Sequence, residues 1–276
     1  MYKVLDKDSI MTEIVPYLSP PGRGPSSRAP VAEIVNAVLY KLKSGVQWHM
    51  LPVTELFSGE PLNYKTVFGH YRKWSKAGVW KECWIRLLSE NRSKVDLSSG
   101  DFDGSHTTAL RGGEQVEYQG RKKRKTTNSL YLTDRQGLPL AMSESVAGNY
   151  NDLHDIEVHA EEVFATLDDA GIATDGLFVN GDSGFDSRGF RTACAKRGVV
   201  PNVPYNQRGK EVDRDEPFDE KLYGERYSVE RTFAWMDGFR SVLNRFDTTV
   251  SSWMGFNFLA FIVIAIKKFK KINNSR

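Results

Sequence analysis

The spacing of apolar residues divides the chain into a helical front and a mixed body. Val31, Ile34, Val35, Val38, Leu39 and Leu42 recur at helical spacing, and the stripe stops at Ser44-Gly45. Asn63 is placed to cap a second helix, on which Tyr64, Val67, Phe68, Tyr71 and Trp74 are apolar and Lys65, Arg72, Lys73 and Lys76 are charged; Gly78 closes it. A third predicted helix carries Trp80, Trp84, Leu87 and Leu88. Three short helices with a basic one in the middle look like a helix-turn-helix variant, with a plain packing bundle as the simpler alternative. Ahead of them, residues 18–30 form a Pro/Gly/Ser-rich arm with two arginines, a composition that resists regular structure. It reads as a linker or as an arm that lies along DNA.

After Ser98-Ser99-Gly100 the periodicity changes. Strands are predicted at Gly100–Asp103, Ser129–Thr133, Leu138–Val146, Leu177–Gly181 and Val199–Pro204, with a hairpin around Asp134-Arg135-Gln136-Gly137. Helices are predicted at His154–Asp168 and Ser187–Lys196, and a further helical stretch spans residues 223 to 235. The expected architecture is α/β (α+β): a mixed sheet flanked by helices over residues 97–276, behind a small helical DNA-binding region over residues 1–96. The apolar run Phe256 to Ile266 is too short for a bilayer, which takes about 20 apolar residues, and reads as a buried C-terminal core helix.

Charge sharpens the division. Residues 1–96 hold 14 Lys/Arg against 9 Asp/Glu, a net of +5 within a chain of net +3. A basic front ahead of a more acidic body suits a DNA-binding module followed by a carboxylate-rich catalytic unit. Cys83 and Cys194 show no pairing pattern, and His and Cys show no zinc-ligand spacing. With no signal-peptide pattern in the opening residues, the expected setting is reducing and cytoplasmic, without a membrane partner.

The candidate chemistry rests on carboxylates. Asp103 ends the first predicted strand just before Gly104, and Asp182 ends the fourth just before Ser183-Gly184. Sites in such sheets form at the carboxyl ends of strands. Glu230 comes from the later helical stretch. At 100° per residue, Tyr223, Arg226, Glu230 and Asp237 fall within about 60° of one another. A surface ion pair explains Arg226 and Glu230 at i, i+4, but not the aromatic that starts the row. Three converging carboxylates suit a pair of cations about 3.5–4 Å apart, as phosphoryl transfer uses. Asp101 projects from the same strand face as Asp103 and is a rival ligand; Asp152, Asp155 and Asp186 read as cap or turn residues. The run Arg121-Lys122-Lys123-Arg124-Lys125 is either a phosphate-binding cluster or a solvated loop.

With these residues in place, the sequence resembles the DDE-class transposases of bacterial insertion sequences, the group numbered five. The resemblance covers nearly the whole chain. It runs through Ile34 to Pro52, Thr66 to Trp74 with Gly78-Val79-Trp80, Asp103-Gly104-Ser105, Gly181 to Ser187, and Tyr223/Arg226/Glu230. It implies a ribonuclease-H-like core and DNA cleavage and strand transfer dependent on two Mg2+ ions (Mn2+ substituting), with Asp103, Asp182 and Glu230 as catalytic metal ligands. It further implies that Tyr223 and Arg226 handle DNA near the cut. The family often carries a basic residue seven positions after the glutamate; here that position is Asp237, and Arg231 or Arg240 would supply the contact. Lys65, Arg72 and Lys73 would read the terminal inverted repeats, while Arg121, Lys122, Lys123 and Arg124 would bind phosphate. The partners implied are element ends, target DNA, and further copies of the chain in a homodimer or higher multimer at the nucleoid. Two rival readings share the motifs: a ribonuclease-H-like nuclease that cuts without joining, and a transposase-derived DNA-binding protein without catalysis.

Overall fold

The computed structural model describes residues 3–18, 28–206 and 218–274; most of the Pro/Gly/Ser arm lies outside the described residues. Contacts group the chain into two compact units, Met1–Leu87 with Trp235–Arg276, and Leu88–Ala234.

The first unit is helical. Its elements are α1 (Lys7–Glu13), α2 (Val31–Ser44), the single turn α3 (Val53–Leu56), α4 (Tyr64–Lys76) and most of α5 (Val79–Glu90). The expected punctuation is present. Gly45 ends α2 in the left-handed conformation (φ 70°), returning its N–H to the Lys41 carbonyl, and the Asn63 side chain accepts the Lys65 N–H at 2.9 Å to start α4. Of the apolar stripe of α2, Ile34, Val35, Val38, Leu39 and Leu42 are buried and Val31 is half-buried.

The later helices are α6 (Ile156–Asp169), α7 (Arg188–Lys196), α8 (Glu220–Tyr223), α9 (Tyr227–Asp237), α10 (Arg240–Leu243) and α11 (Val250–Asn274), and the last packs within this first unit against α2 and α4. Tyr71 stacks on Phe256 at 4.4 Å, Trp84 meets Phe261 edge-on at 5.6 Å, and the Tyr71 hydroxyl donates to the Ser252 carbonyl. By length and composition Val250–Ile272 is apolar enough to cross a bilayer, but 78% of its most apolar window is buried within the protein, as a core helix requires. The contacts therefore place this helix with the front helices, where the sequence pattern had grouped it with the sheet. An all-round apolar helix carries no directional signal for its partner.

The second unit is built on a mixed sheet of β1 (Gly100–Ala109), β2 (Glu117–Gln119), β3 (Arg124–Asp134), β4 (Pro139–Met142), β5 (Val146–Ala147), β6 (Phe178–Asn180) and β7 (Val200–Asn202). The order is β2-β3-β1-β6-β7, with β4 and β5 also pairing with β3. β1 and β3 are antiparallel from Gly100↔Asp134 to Thr108↔Thr126, while β6 and β7 run parallel to β1. Taking β4-β3-β1-β6-β7, an antiparallel meander followed by two parallel strands is the ribonuclease-H-like arrangement. The hairpin at 134–137 is fixed by Asp134 Oδ1 accepting the Leu138 N–H at 2.7 Å and by Gly137 at φ 78°.

Two expected elements differ. The strand expected over 138–146 is interrupted because the Ser143 hydroxyl, in place of a backbone carbonyl, accepts the Leu130 N–H at 2.9 Å. The helical stretch expected over 223–235 is split into α8 (Glu220–Tyr223) and α9 (Tyr227–Asp237). Between them, Glu225 N–H bonds to Leu222 and Arg226 N–H to Tyr223, so three-residue bonds replace four-residue ones.

Alternation along β1 gives the sheet two distinct faces. Phe102 packs against Phe164 of α6 (Ile156–Asp169), Phe185, and Phe190 of α7 (Arg188–Lys196). The opposite face carries Asp101 and Asp103 with their cross-strand partners Thr133 and Tyr131; Tyr131 meets Phe233 of α9 edge-on at 5.6 Å.

Candidate active site

The site forms where β1 outruns its parallel neighbour. β6 pairs with β1 only at Gly100 and Asp101, so residues from Phe102 onward project past the end of β6. Asp101, the rival ligand, is structural. It is 2% exposed; one carboxylate oxygen accepts the Asn180 amide at 2.8 Å and the other the Ser228 hydroxyl. Burial raises its pKa against the pull of those hydrogen bonds and of Arg226. One carboxylate thereby ties β1, β6 and α9 together.

Asp103, two residues on, faces the open end. Its Oδ2 lies 2.8 Å from Arg226, and its Oδ1 accepts the N–H of Gly104. Burial pushes its pKa up to about 6; Arg226 and the Gly104 N–H oppose that shift, while the nearby charges of Asp182 and Asp152 reinforce it. The Arg226 contact has ion-pair distance but not hydrogen-bond direction, and Nε and one NH2 of this buried guanidinium lack a directed acceptor. Such a fork is suited to an incoming phosphate oxygen.

Asp182 follows β6 and is exposed; its side chain accepts the Gly184 N–H at 2.8 Å, capping a 3-10 turn. Glu230 is exposed on α9. Among the described residues, no three His, Cys, Asp or Glu side chains stand close enough to hold a metal ion. Arg226 and the charge of Asp182 both act on Asp103, while Glu230 stands exposed on α9. Hard oxygen donors, with the charge of Asp182 helping to raise the pKa of Asp103, fit a divalent cation in chemical type.

Other expected contacts are placed singly. Tyr223 packs against Phe218 at 5.4 Å. Arg231 lies over the ring of Tyr227 at 4.9 Å, and Tyr227 is 63% exposed. Arg121, Lys122 and Lys123 form the turn between β2 and β3, and Arg124 opens β3; all four are exposed. Lys122 Nζ donates to the His106 carbonyl on β1 at 3.0 Å, which brings this turn back to the site strand. In the helical unit, Lys65, Arg72 and Lys73 are exposed on α4, opposite buried Val67, Tyr71 and Trp74.

Sequence reasoning passed over a second cluster on the other face of β1. Asp152 had read as a cap or turn residue. Its Oδ1 accepts the amide of buried Asn128 at 2.8 Å, with His106 Nε2 at 3.7 Å. A Cβ on Gly104 would lie 2.2 Å from that same oxygen, so only glycine lets the carboxylate approach. Cross-strand pairing of His106 with Asn128 was the signal available, but the partner 24 residues later was not.

A family model described as "Transposase DDE domain" matches residues 97–263, well over half the chain. The chain belongs to this family: it is a DDE transposase, an enzyme that cleaves DNA and transfers the cut strands, and the family depends on divalent metal. A second model, "Putative transposase of IS4/5 family", matches residues 7–84 and narrows the assignment to the IS4/5 type. No curated protein shows significant similarity. Similar solved structures include the Mos1 mariner paired-end complex with Mn, at 14% identity and TM-score 0.29 over 89% of this chain and 80% of that one. The Mos1 strand transfer complex is similar at 12% identity and TM-score 0.28, over 89% and 79%. Likeness of that degree adds nothing to the family assignment.

Proposed function

We propose that Asp103 and Asp182 are the core catalytic carboxylates of this transposase and that Glu230 joins them when DNA is bound. The observation that carries the reading is Arg226 held 2.8 Å from Asp103 with buried N–H groups still lacking directed acceptors. Bound metal, two Mg2+ ions with Mn2+ substituting, would be held by these three carboxylates and would supply charge neutralisation at the reacting phosphate. The protein's own groups do the rest. Arg226 fixes a phosphate oxygen of the cleaved strand, and Tyr223 packs beside it. Arg231, with Arg121, Lys122, Lys123 and Arg124, holds flanking phosphates. Lys65, Arg72 and Lys73 on α4 contact the terminal inverted repeat.

The two reactions have one form. Water bonds to phosphorus as the P–O3′ bond breaks, and the departing oxygen takes a proton to become a 3′-hydroxyl. That hydroxyl then gives up its proton as it bonds to a target phosphorus and displaces a target 3′-oxygen, which takes up a proton in turn. Two ends must meet, so the working species is a homodimer or higher multimer on DNA, at the nucleoid. The helical front, residues 1–96, serves end recognition, and the sheet unit within residues 97–276 carries the chemistry.

The test is cleavage and joining on a labelled duplex carrying the flanking repeat, with Mg2+ or Mn2+. Asp182→Asn is expected to abolish both products while repeat binding persists. Cleavage retained in Asp182→Asn would refute the site. Repeat binding without cleavage by the unaltered protein would favour a DNA-binding descendant.

A further inference from the structure

The loop between β5 and α6, residues 148–155, reads Gly-Asn-Tyr-Asn-Asp-Leu-His-Asp and is pinned to the site strands at two points. At its start, a Cβ on Gly148 would lie 2.1 Å from the Thr126 hydroxyl oxygen, and the Gly148 N–H bonds to the Thr126 carbonyl at 3.1 Å. Four residues later, Asp152 rests against Gly104, the residue after Asp103, and accepts the buried Asn128 amide. Each clamp depends on a glycine that allows unusually close approach.

Between and just beyond these clamps stand two aromatic rings. Tyr150 and His154 are parallel, with centroids 3.6 Å apart and planes 10° from one another. Tyr150 is 39% exposed, so the pair does little for the core. The geometry is held locally. The His154 N–H bonds to the Asn151 carbonyl, and His154 Nε2 stands 3.3 Å from Asp155. Asp155 adopts φ 45°, a left-handed conformation costly for a non-glycine residue, and gives α6 no side-chain cap bond. Its carbonyl still accepts the first N–H bonds of α6, from Val158 and His159. Asn149 and Asn151 flank Tyr150 and are exposed; amide side chains of this kind hydrogen-bond base edges.

We infer that the loop 148–155 is a nucleobase-binding element: the outer face of Tyr150, backed by His154, stacks an unpaired base of the DNA strand held at Asp103. The ligand class is an unstacked nucleotide, recognised by its π-face and therefore with little sequence preference. The location rests on the assignment of Asp103 to the active site; the stacking itself does not.

The test is binding without metal, so that no strand is cut. The probes are a duplex with one unpaired 2-aminopurine and the same duplex fully paired. The protein is expected to prefer the unpaired probe and to quench its fluorescence. Tyr150→Ala, and Tyr150→Leu which keeps bulk but has no π-face, should lose the quench and weaken binding to the unpaired probe roughly 5- to 100-fold, with paired binding kept. Tyr150→Trp should behave as the unaltered protein. Equal binding of both probes by the unaltered protein, or an undiminished quench in Tyr150→Leu, overturns the inference. Cleavage surviving in Asp103→Asn would overturn the active-site assignment instead and leave the quench result standing.

Discussion

Replacing Gly104 with alanine tests the link between the site strand and the 148–155 loop. The new Cβ would lie 2.2 Å from Asp152 Oδ1 and 2.4 Å from its Cγ, so the carboxylate must move. Asp152 is 38% exposed at its side chain and can swing towards water, but Asn128, 1% exposed, then keeps a buried amide without its acceptor. Its Oδ1 already lacks a partner, so nothing compensates within that side chain. A lost hydrogen bond to a charged group costs about 1.5–3 kcal/mol; with the carboxylate regaining water, the expected loss is about 2 kcal/mol. Urea unfolding, followed alongside the amide exchange of β3, measures it. Asp152→Ala should cost a similar amount, and the double variant no more than either alone, because both changes remove the same contact. A Gly104→Ala cost within about 0.5 kcal/mol, or additive losses in the double variant, would refute the close approach.

Two further outcomes follow from the ion pairs. Arg226→Lys replaces a planar fork by a single ammonium and should slow single-turnover cleavage about 100-fold, with duplex affinity changed far less; a rate within about threefold would show that the fork does not engage the reacting phosphate. In the helical unit, the Lys270 ammonium, helped by Ser9, holds the Asp6 carboxyl well below its usual 3.8. A depressed carboxylate contributes stability above that value and loses it as pH falls towards the folded pKa. Asp6→Asn, which can still accept the Ser9 N–H, should therefore show a small thermal-stability deficit at about pH 6 that closes below about pH 4. A deficit that stays constant into acid would remove the charge from the explanation.

Much of the local structure was legible in the sequence because its causes are local. The stripe of α2 ends at Gly45 since only a residue at ease in the left-handed region closes that helix simply. Asn63 starts α4 because its carbonyl oxygen reaches an N–H two residues on. Asp134 and Gly137 set a hairpin through bonds spanning four residues. Asp103 before Gly104 and Asp182 before Ser183-Gly184 could be placed at strand ends by pattern alone.

Tertiary structure decided what depended on distant partners. Asp101 and Asp103 share residue type and strand face, and only the approach of Asn180 and Ser228 makes the first a buried tie and leaves the second to Arg226. Asp152 looked like a turn residue until Gly104 and Asn128 were found against it. The break between α8 and α9 and the docking of α11 with the front helices likewise turn on packing that no local period records. Backbone hydrogen bonds and side-chain periodicity act over a few residues and are written in order along the chain. Burial and charge pairing act between segments tens to hundreds of residues apart, so folding was needed to show which carboxylate holds the sheet together and which is left facing Arg226.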